Sequence, residues 1–325
     1  MYKSWNLILV VACLVMSTAW ADAQQVIVPG SGQIVEAVGD DFEDPNWGYQ
    51  FNLPKVYNHK DDVLSKNFPG GMSLNQRWYE GMKRGQPDVI RRVTPPKGGI
   101  PGSTGALLLC SLRTGGQYPS NTLQQEDLIA NVSQRVGKIP VSRGPNIVTR
   151  VWVPPFEEFE PRVNQCHFAF RMALEQPRFH QISYDPENED HLVFPGIFLN
   201  LVRNPNAQKD GHPYGIYFWM KATQRGTQIR GPLSTQTGWW TLGMSISADG
   251  KVNYFAKPGV EELAASDLIG SDYPFGKRAN QFRNFFFNVC NGDDGKSWSS
   301  QFVIDDPTMF VARWSSRKED DNQRC

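Results

Sequence analysis

The sequence predicts an all-β protein, an antiparallel sandwich or barrel with little helix, and three observations support this class. Helical periodicity is scarce, and the best candidate is the short segment 259–269. The chain contains 29 Gly and 23 Pro among its 325 residues, so many turns are expected. Segments rich in β-branched and aromatic residues recur at 105–112, 147–153, 163–173, 195–203, 215–222, 238–247, 251–256, 282–290, 299–304 and 308–313. Because no helices alternate with these strands, parallel α/β architectures are excluded.

The first 23 residues have the features of a secretory signal peptide. A cationic start precedes an apolar run from Leu7 to Met16 and the small-residue site Ala21-Asp22-Ala23. The apolar run is shorter than the roughly 20 residues that cross a bilayer. We therefore expect a secreted, periplasmic or cell-surface protein without a transmembrane segment. A lipoprotein that carries its lipid on Cys13 is the alternative.

The rest of the chain divides into three parts. Residues 24–40 are small and polar and predict a flexible leader. Residues 41–314 contain no linker and no internal repeat, which indicates a single domain. Residues 315–325 lack apolar side chains except the final Cys, which predicts a disordered polar tail.

Composition excludes several classes of protein. The 33 basic and 33 acidic residues cancel, whereas a protein that binds nucleic acid through bulk charge is basic. The aromatic fraction of 12% excludes a disordered chain. After removal of the signal peptide four cysteines remain, and they allow three full pairings. Buried free thiols are the alternative for this set, which comprises Cys110, Cys166, Cys290 and Cys325.

Alternation along the strands divides each of them into two faces. One face is apolar, for example Phe168, Phe170 and Met172, and predicts the core. The opposite face carries planar hydrogen-bonding groups and aromatic rings instead of the usual Lys, Glu, Thr and Ser. Its members are Arg150, Trp152, Gln165, His167, Arg171, Asn200, Tyr217, Trp219, Lys221, Trp239, Asn284 and Asn288.

This second set suits a sugar, because pyranose rings stack on aromatic rings and their hydroxyls need many donors and acceptors. If the strands are neighbours, the set lines one groove; the alternative is that a loop or a second layer covers it. The set is basic and contains no carboxylate, whereas ordinary glycoside hydrolysis requires two carboxylates. The sequence therefore predicts binding of an anionic polysaccharide.

Three sequence segments carry a resemblance to the concanavalin A-like lectin/glucanase superfamily. They are Trp239-Trp240, the segment 248–255, and Phe302-Val303-Ile304-Asp305-Asp306. The resemblance implies a jelly roll of two antiparallel sheets with long loops and a glycan groove on the concave face.

The opening segment Asp41-Phe42-Glu43-Asp44 with Trp47 resembles the first strand of jelly-roll carbohydrate-binding modules. That resemblance implies a structural Ca²⁺ held by Glu43 and Asp305, and oxygen ligands of this kind are those that calcium prefers.

Three triplets resemble motifs of the jelly-roll alginate lyases. They are Arg150-Val151-Trp152, Gln165-Cys166-His167 and Tyr217-Phe218-Trp219, similar to R-x-E, Q-x-H and Y-x-K. The resemblance implies that Arg150 and Gln165 neutralise a uronate carboxylate while His167 and Tyr217 act as base and acid in β-elimination. Trp152 stands where the family has Glu, and Trp219 stands where it has Lys.

Three hypotheses follow from the sequence. The first is non-catalytic polysaccharide binding, the second is a polysaccharide lyase, and the third is a structural cell-surface or matrix protein that uses the fold as a scaffold. The first two require Arg150, His167 and Tyr217 to share one face of a sheet.

Overall fold

The computed structural model describes residues 26–55, 70–81, 84–113, 124–176, 192–221, 227–276 and 278–312. The predicted signal peptide and polar tail lie outside these residues. No helix within the described ranges has the length and apolar character needed to cross a membrane.

Nineteen strands build the described part of the chain. In chain order they are β1 (Gln33–Gly39), β2 (Tyr49–Gln50), β3 (Met72–Ser73), β4 (Trp78–Glu80), β5 (Val89–Val93), β6 (Ala106–Cys110), β7 (Gln124–Ala130), β8 (Ile139–Pro140), β9 (Pro145–Val153), β10 (Gln165–Glu175), β11 (Leu192–Val193), β12 (Gly196–Arg203), β13 (Tyr214–Lys221), β14 (Gln228–Ser234), β15 (Gly238–Ile246), β16 (Val252–Pro258), β17 (Leu268–Asp272), β18 (Gln281–Asn291) and β19 (Phe302–Val311). Helical segments in these ranges are short: α1 (Ser133–Val136), α2 (Ala207–Asp210) and 3₁₀ turns at Val141–Arg143, Phe156–Glu158, Ala265–Asp267 and Pro274–Gly276.

The strands form two antiparallel sheets that pack face to face as a jelly-roll sandwich, as predicted. The smaller sheet has the order β17-β16-β15-β9-β19-β6-β5, with β1 beside β19. The larger sheet has the order β14-β13-β12-β10-β18-β7-β4-β3-β2, with β11 beside β10 and β8 beside β18.

The core lies between the sheets and is rich in aromatic rings. Phe168 of the larger sheet stacks on Phe302 of the smaller sheet with ring centroids 4.7 Å apart. Phe218 and Trp240 also meet between the sheets, with centroids 4.6 Å apart and ring planes inclined by 46°. All four side chains are buried, so strand alternation identified the core face correctly.

Three predictions about local structure are wrong. Residues 33–39 of the predicted leader form β1, whose Val35 and Val38 are buried against the core and whose backbone pairs with β19. The segment 259–269 forms no α-helix; it contains one 3₁₀ turn and the start of β17. The predicted strands 299–304 and 308–313 are one strand, β19, whose register shifts beside Asp306 at φ 46°.

Candidate functional site

The outer face of the larger sheet carries most of the polar and aromatic side chains selected from the sequence. Strand register arranges them in cross-strand rows, of which one runs Trp219, Phe198, Ala169, Asn288, Asp127. We call this surface the polar face and define it by Tyr79, Gln125, Asp127, Cys166, Arg171, Phe198, Asn200, Tyr217, Trp219, Lys221, Asn284, Phe286, Asn288 and Cys290. The structure thus brings together six predicted binding residues, Arg171, Asn200, Trp219, Lys221, Asn284 and Asn288.

A buried charge network occupies the centre of the polar face. Arg171 is 3% exposed, and its guanidinium donates to Asn288 Oδ1 at 3.0 Å and to the carbonyl of Phe194 at 2.9 Å. The amide of Asn288 in turn donates to Asp127. Burial lowers the pKa of Arg171 to about 10 and raises the pKa of Asp127 to about 6. Arg171 therefore remains charged at neutral pH, and its cation is fixed in place.

Beside this network lies a pocket of about 210 Å³ with an excess of positive charge. Its wall includes three guanidinium groups, from Arg84, Arg171 and Arg283, against the single carboxylate of Asp127. Asn284 donates to the Tyr79 hydroxyl at 2.9 Å at one side of the pocket. Apolar side chains complete the wall: Ile129, Ala173, Leu192, Phe194 and Phe286. The pocket offers an anion both charge and an apolar surface.

Two further depressions lie toward the other edge of the polar face. One, of about 440 Å³, contains Asn200, Tyr217 and Trp219. The guanidinium of Arg230 lies over the rings of Tyr217 and Trp219, at 4.7 and 5.2 Å from their centroids. The other, of about 310 Å³, is bordered by Gln165, whose side chain accepts a hydrogen bond from Arg162 at 2.8 Å.

Several buried polar atoms of the polar face lack a hydrogen-bond partner among the described residues. They are Arg171 Nε, Asn200 Oδ1, Trp219 Nε1 and Asn284 Oδ1. A buried polar group without a partner costs roughly 1–3 kcal/mol. Two donors and two acceptors buried within this face are therefore left without a partner among the described residues.

His167 does not reach this surface as a free base. It lies at the irregularity in β10 between Cys166 and Phe168 and is fully buried. Its Nε2 donates to the carbonyl of Arg162 at 2.8 Å, which leaves Nδ1 to accept from the Ser300 hydroxyl at 2.8 Å. Burial, with the nearby Arg162 charge, lowers its pKa to about 3. The ring is neutral and both of its nitrogens are occupied.

The prediction of a single groove is wrong for Arg150, Trp152 and Trp239, because β9 and β15 belong to the smaller sheet. Their outer side chains point away from the polar face. Arg150 pairs there with Glu262 at 2.8 Å and Asp306 at 3.1 Å. The two tryptophans occupy neighbouring positions on β9 and β15, and the Trp239 indole donates to the carbonyl of Pro96 at 3.1 Å. Alternation distinguishes inside from outside but does not identify the sheet.

The two predicted calcium ligands do lie together. One hydroxyl, Ser103 Oγ, lies 2.9 Å from Glu43 Oε1, 3.0 Å from Asp305 Oδ2 and 3.2 Å from the carbonyl of Gly105. Its single hydrogen cannot satisfy three acceptors. Burial raises the pKa of Asp305 to about 7, and the charges of Asp306 and Glu43 add to this effect. The Glu43 carboxylate also accepts hydrogen bonds from the backbone N–H and hydroxyl of Thr104 and from the Gly105 N–H, and the described residues contain no cluster of three His, Cys, Asp or Glu for a metal.

Sequence reasoning missed Tyr79, Arg84, Gln125, Asp127 and Arg230. Strand β7 is polar along most of its length, so its alternation of Gln125, Asp127 and Ile129 gave only a weak signal. Strand β14 contains Gly231-Pro232, and proline weighs against a strand assignment. Tyr79 lies on a strand of three residues.

No protein-family model and no curated protein matches the chain. Among solved structures, a sialidase is similar at 10% identity and a TM-score of 0.39, covering 73% of this chain and 17% of the sialidase. The binding domain of Paraclostridial Mosquitocidal Protein 1 is 11% identical with a TM-score of 0.36, covering 81% of this chain and 49% of that chain. An alginate lyase of Pseudomonas aeruginosa is 8% identical with a TM-score of 0.39, covering 70% of this chain and 87% of the lyase. This chain therefore spans only a part of the first two proteins.

Proposed function

We propose that the protein binds an anionic polysaccharide on the polar face. The observation that carries this proposal is the set of unpaired buried atoms, Arg171 Nε, Asn200 Oδ1, Trp219 Nε1 and Asn284 Oδ1, on one face with two partly exposed rings. Sugar hydroxyls supply both donors and acceptors, so a small opening of the side chains around these atoms would let hydroxyl groups pair with them. Tyr217 and Trp219 are partly exposed, and the ring surface that Arg230 leaves open suits the C–H face of a pyranose.

The anionic character of the ligand rests on the arginines. Arg84, Arg171 and Arg283 border one pocket whose wall has a single carboxylate, and Arg283 also pairs with Glu175 at 3.5 Å. A guanidinium pairs with carboxylate or sulfate in a bidentate geometry. A polyuronate such as alginate presents carboxylates along its whole length. A chain lying across the polar face would place its acidic groups near these arginines and its rings near Tyr217 and Trp219.

The proposal is tested by titrating the purified full chain with alginate and with a neutral glucan in a calorimeter. We expect alginate to bind with an affinity that falls as the salt concentration rises. The neutral glucan should bind less tightly than alginate. Trp219→Ala removes a stacking ring and should weaken alginate binding on the order of ten-fold.

Trp152→Ala is the matched control, because this partly exposed ring lies on the outer face of the other sheet. It should leave alginate affinity unchanged. An equal loss of alginate affinity in Trp219→Ala and Trp152→Ala would contradict a binding site on the polar face. So would the absence of binding to any uronate or sulfated polymer. The second result would favour the structural scaffold hypothesis.

The same mixtures distinguish binding from elimination. β-Elimination creates an unsaturated sugar that absorbs ultraviolet light, and we expect no rise in absorbance. The reason is geometric: His167 has no free nitrogen, and Arg150 lies on the opposite side of the sandwich from Tyr217. A rise that Tyr217→Phe abolishes would favour the lyase hypothesis instead.

We also propose that Glu43 and Asp305 hold a structural Ca²⁺. Support comes from the three acceptors that share the single Ser103 hydrogen and from the raised pKa of Asp305. A bound cation would neutralise both carboxylates and connect the segment before β2 to β19.

A further inference from the structure

Two cysteines meet on the polar face, one on β10 and one on β18. These strands are antiparallel neighbours, and Phe168 pairs with Val289. The irregularity between Cys166 and Phe168 turns Cys166 outward, opposite Asn200. As a result the sulfur of Cys166 lies 3.7 Å from the sulfur of Cys290.

The surroundings of the pair favour a bond between these two thiols over other uses. Both are buried in a small apolar cluster with Ala169 and Phe198. The other described cysteine, Cys110, lies on β6 of the opposite sheet. A metal site is not favoured, because the part of the chain that the structure describes contains no group of three metal-binding side chains.

We propose that Cys166 and Cys290 form a cross-strand disulfide when the protein meets a small-molecule disulfide such as oxidised glutathione. The two cysteines are not directly opposed in the register of β10 and β18, but the irregularity beside Cys166 brings their sulfurs to 3.7 Å. The two sulfurs need to approach by less than 2 Å to reach bonding distance, which rotation about the Cα–Cβ bonds can provide.

The reaction proceeds in two exchange steps. Cys166, which borders the depression of about 310 Å³, attacks the reagent as a thiolate; the reagent S–S bond breaks and one small thiol leaves. Cys290 then loses its proton and attacks the sulfur of Cys166, releasing the second small thiol. Two protein thiols are oxidised by two electrons in total, and one reagent disulfide is reduced to two thiols.

The disulfide would close a loop between positions 124 residues apart in sequence. Cross-links that close long loops restrict the unfolded chain most, so the oxidised protein should be the more stable form. The bond would also fix the irregularity of β10 beneath the polar face. This inference does not depend on the ligand of that face.

The test is a peptide map of the full chain, equilibrated with oxidised or reduced glutathione, alkylated and digested. We expect a peptide containing Cys166 linked to one containing Cys290 only after oxidation, with Cys110 alkylated in both samples. The oxidised protein should unfold at a temperature higher by roughly 5–10 °C.

Matched variants complete the experiment. Cys290→Ala should abolish both the linked peptide and the thermal shift, and Cys110→Ala should retain both. Alkylation of Cys166 and Cys290 in the oxidised wild type would overturn the proposal, and so would a link from either residue to Cys325. The wild-type map decides the matter even if a variant folds poorly.

Discussion

At the scale of single residues, the same side-chain type serves different purposes according to its partners. The sequence assigned Arg150 and Arg171 to one groove because each lies on the face of its strand that points away from the core. Arg150 is paired with two carboxylates, whereas Arg171 retains a buried Nε without a described partner. Only the second arrangement leaves a guanidinium donor without a partner among the described residues.

His167 provides a prediction about pH. Its pKa is about 3 in the folded chain and near 6.5 when unfolded, so between these values the unfolded state binds more protons. The free energy of unfolding therefore falls, through this residue, as the pH drops from about 6.5 to about 3. His167→Gln cannot titrate, so its unfolding free energy should depend less on pH in this window.

Urea unfolding at several pH values measures the free energy of unfolding of wild type and variant. The difference between the two isolates His167, because buried carboxyls such as Asp127 titrate in both proteins. The control is His212→Gln, at an exposed histidine. It should show the wild-type dependence. If the unfolding free energies of His167→Gln and wild type changed equally with pH, His167 would have to become charged within the folded protein.

At the scale of elements, the hairpin between β15 and β16 formed where the sequence predicted it. Ala248-Asp249-Gly250-Lys251 connects the strands, and Gly250 has φ +85°, which favours glycine. A Cβ at Gly250 would also lie 2.6 Å from the backbone nitrogen of Ala279. This turn thus needs glycine both for its backbone conformation and for close packing.

The two requirements can be separated by comparing two variants. Gly102 has φ +86°, and a Cβ there would meet no atom within 4 Å. Gly102→Ala should lower the unfolding free energy by about 1–2 kcal/mol through backbone strain alone. Gly250→Ala should cost roughly 2 kcal/mol more, because the backbone of Ala279 must move. Denaturant unfolding measures both, and equal losses would show that the hairpin relaxes without cost.

At the scale of the whole molecule, the fold brings residues near both ends of the described chain together at Ser103. Asp305 has a folded pKa of about 7, above its ordinary value of 3.8, so without a cation the protein loses stability as the pH rises through that interval. A calcium ion held by the ionised carboxylates, as proposed above, would reverse this loss. We therefore expect Ca²⁺ to raise the unfolding temperature by several degrees, more at pH 8 than at pH 5.

A chelator should remove the increase, and Asp305→Asn should abolish it. Glu36→Gln changes an exposed acid of β1 and should preserve it. Differential scanning calorimetry with and without calcium measures the shift. An identical shift in Asp305→Asn and wild type would place any bound calcium elsewhere.

The sequence by itself determined the class of fold and the identity of the core. Alternation of apolar side chains along a strand is a local property, so Phe168, Phe170 and Phe218 could be assigned to the interior from their neighbours alone. The same rule found six residues of the polar face. It missed β1, where the β-branched Ile34, Val35 and Val38 stand among Gln33, Glu36 and Gly39, and whose strand conformation is fixed by its pairing with β19.

The tertiary structure decided which outward residues share a surface. Strand order is a long-range property: β9 and β10 are consecutive in sequence, yet they belong to different sheets, so Arg150 and Arg171 face opposite sides of the sandwich. An irregularity of one residue in β10 buried His167 and turned Cys166 toward Cys290. Periodicity specifies that a side chain leaves the core; only the pairing of strands specifies what it then meets.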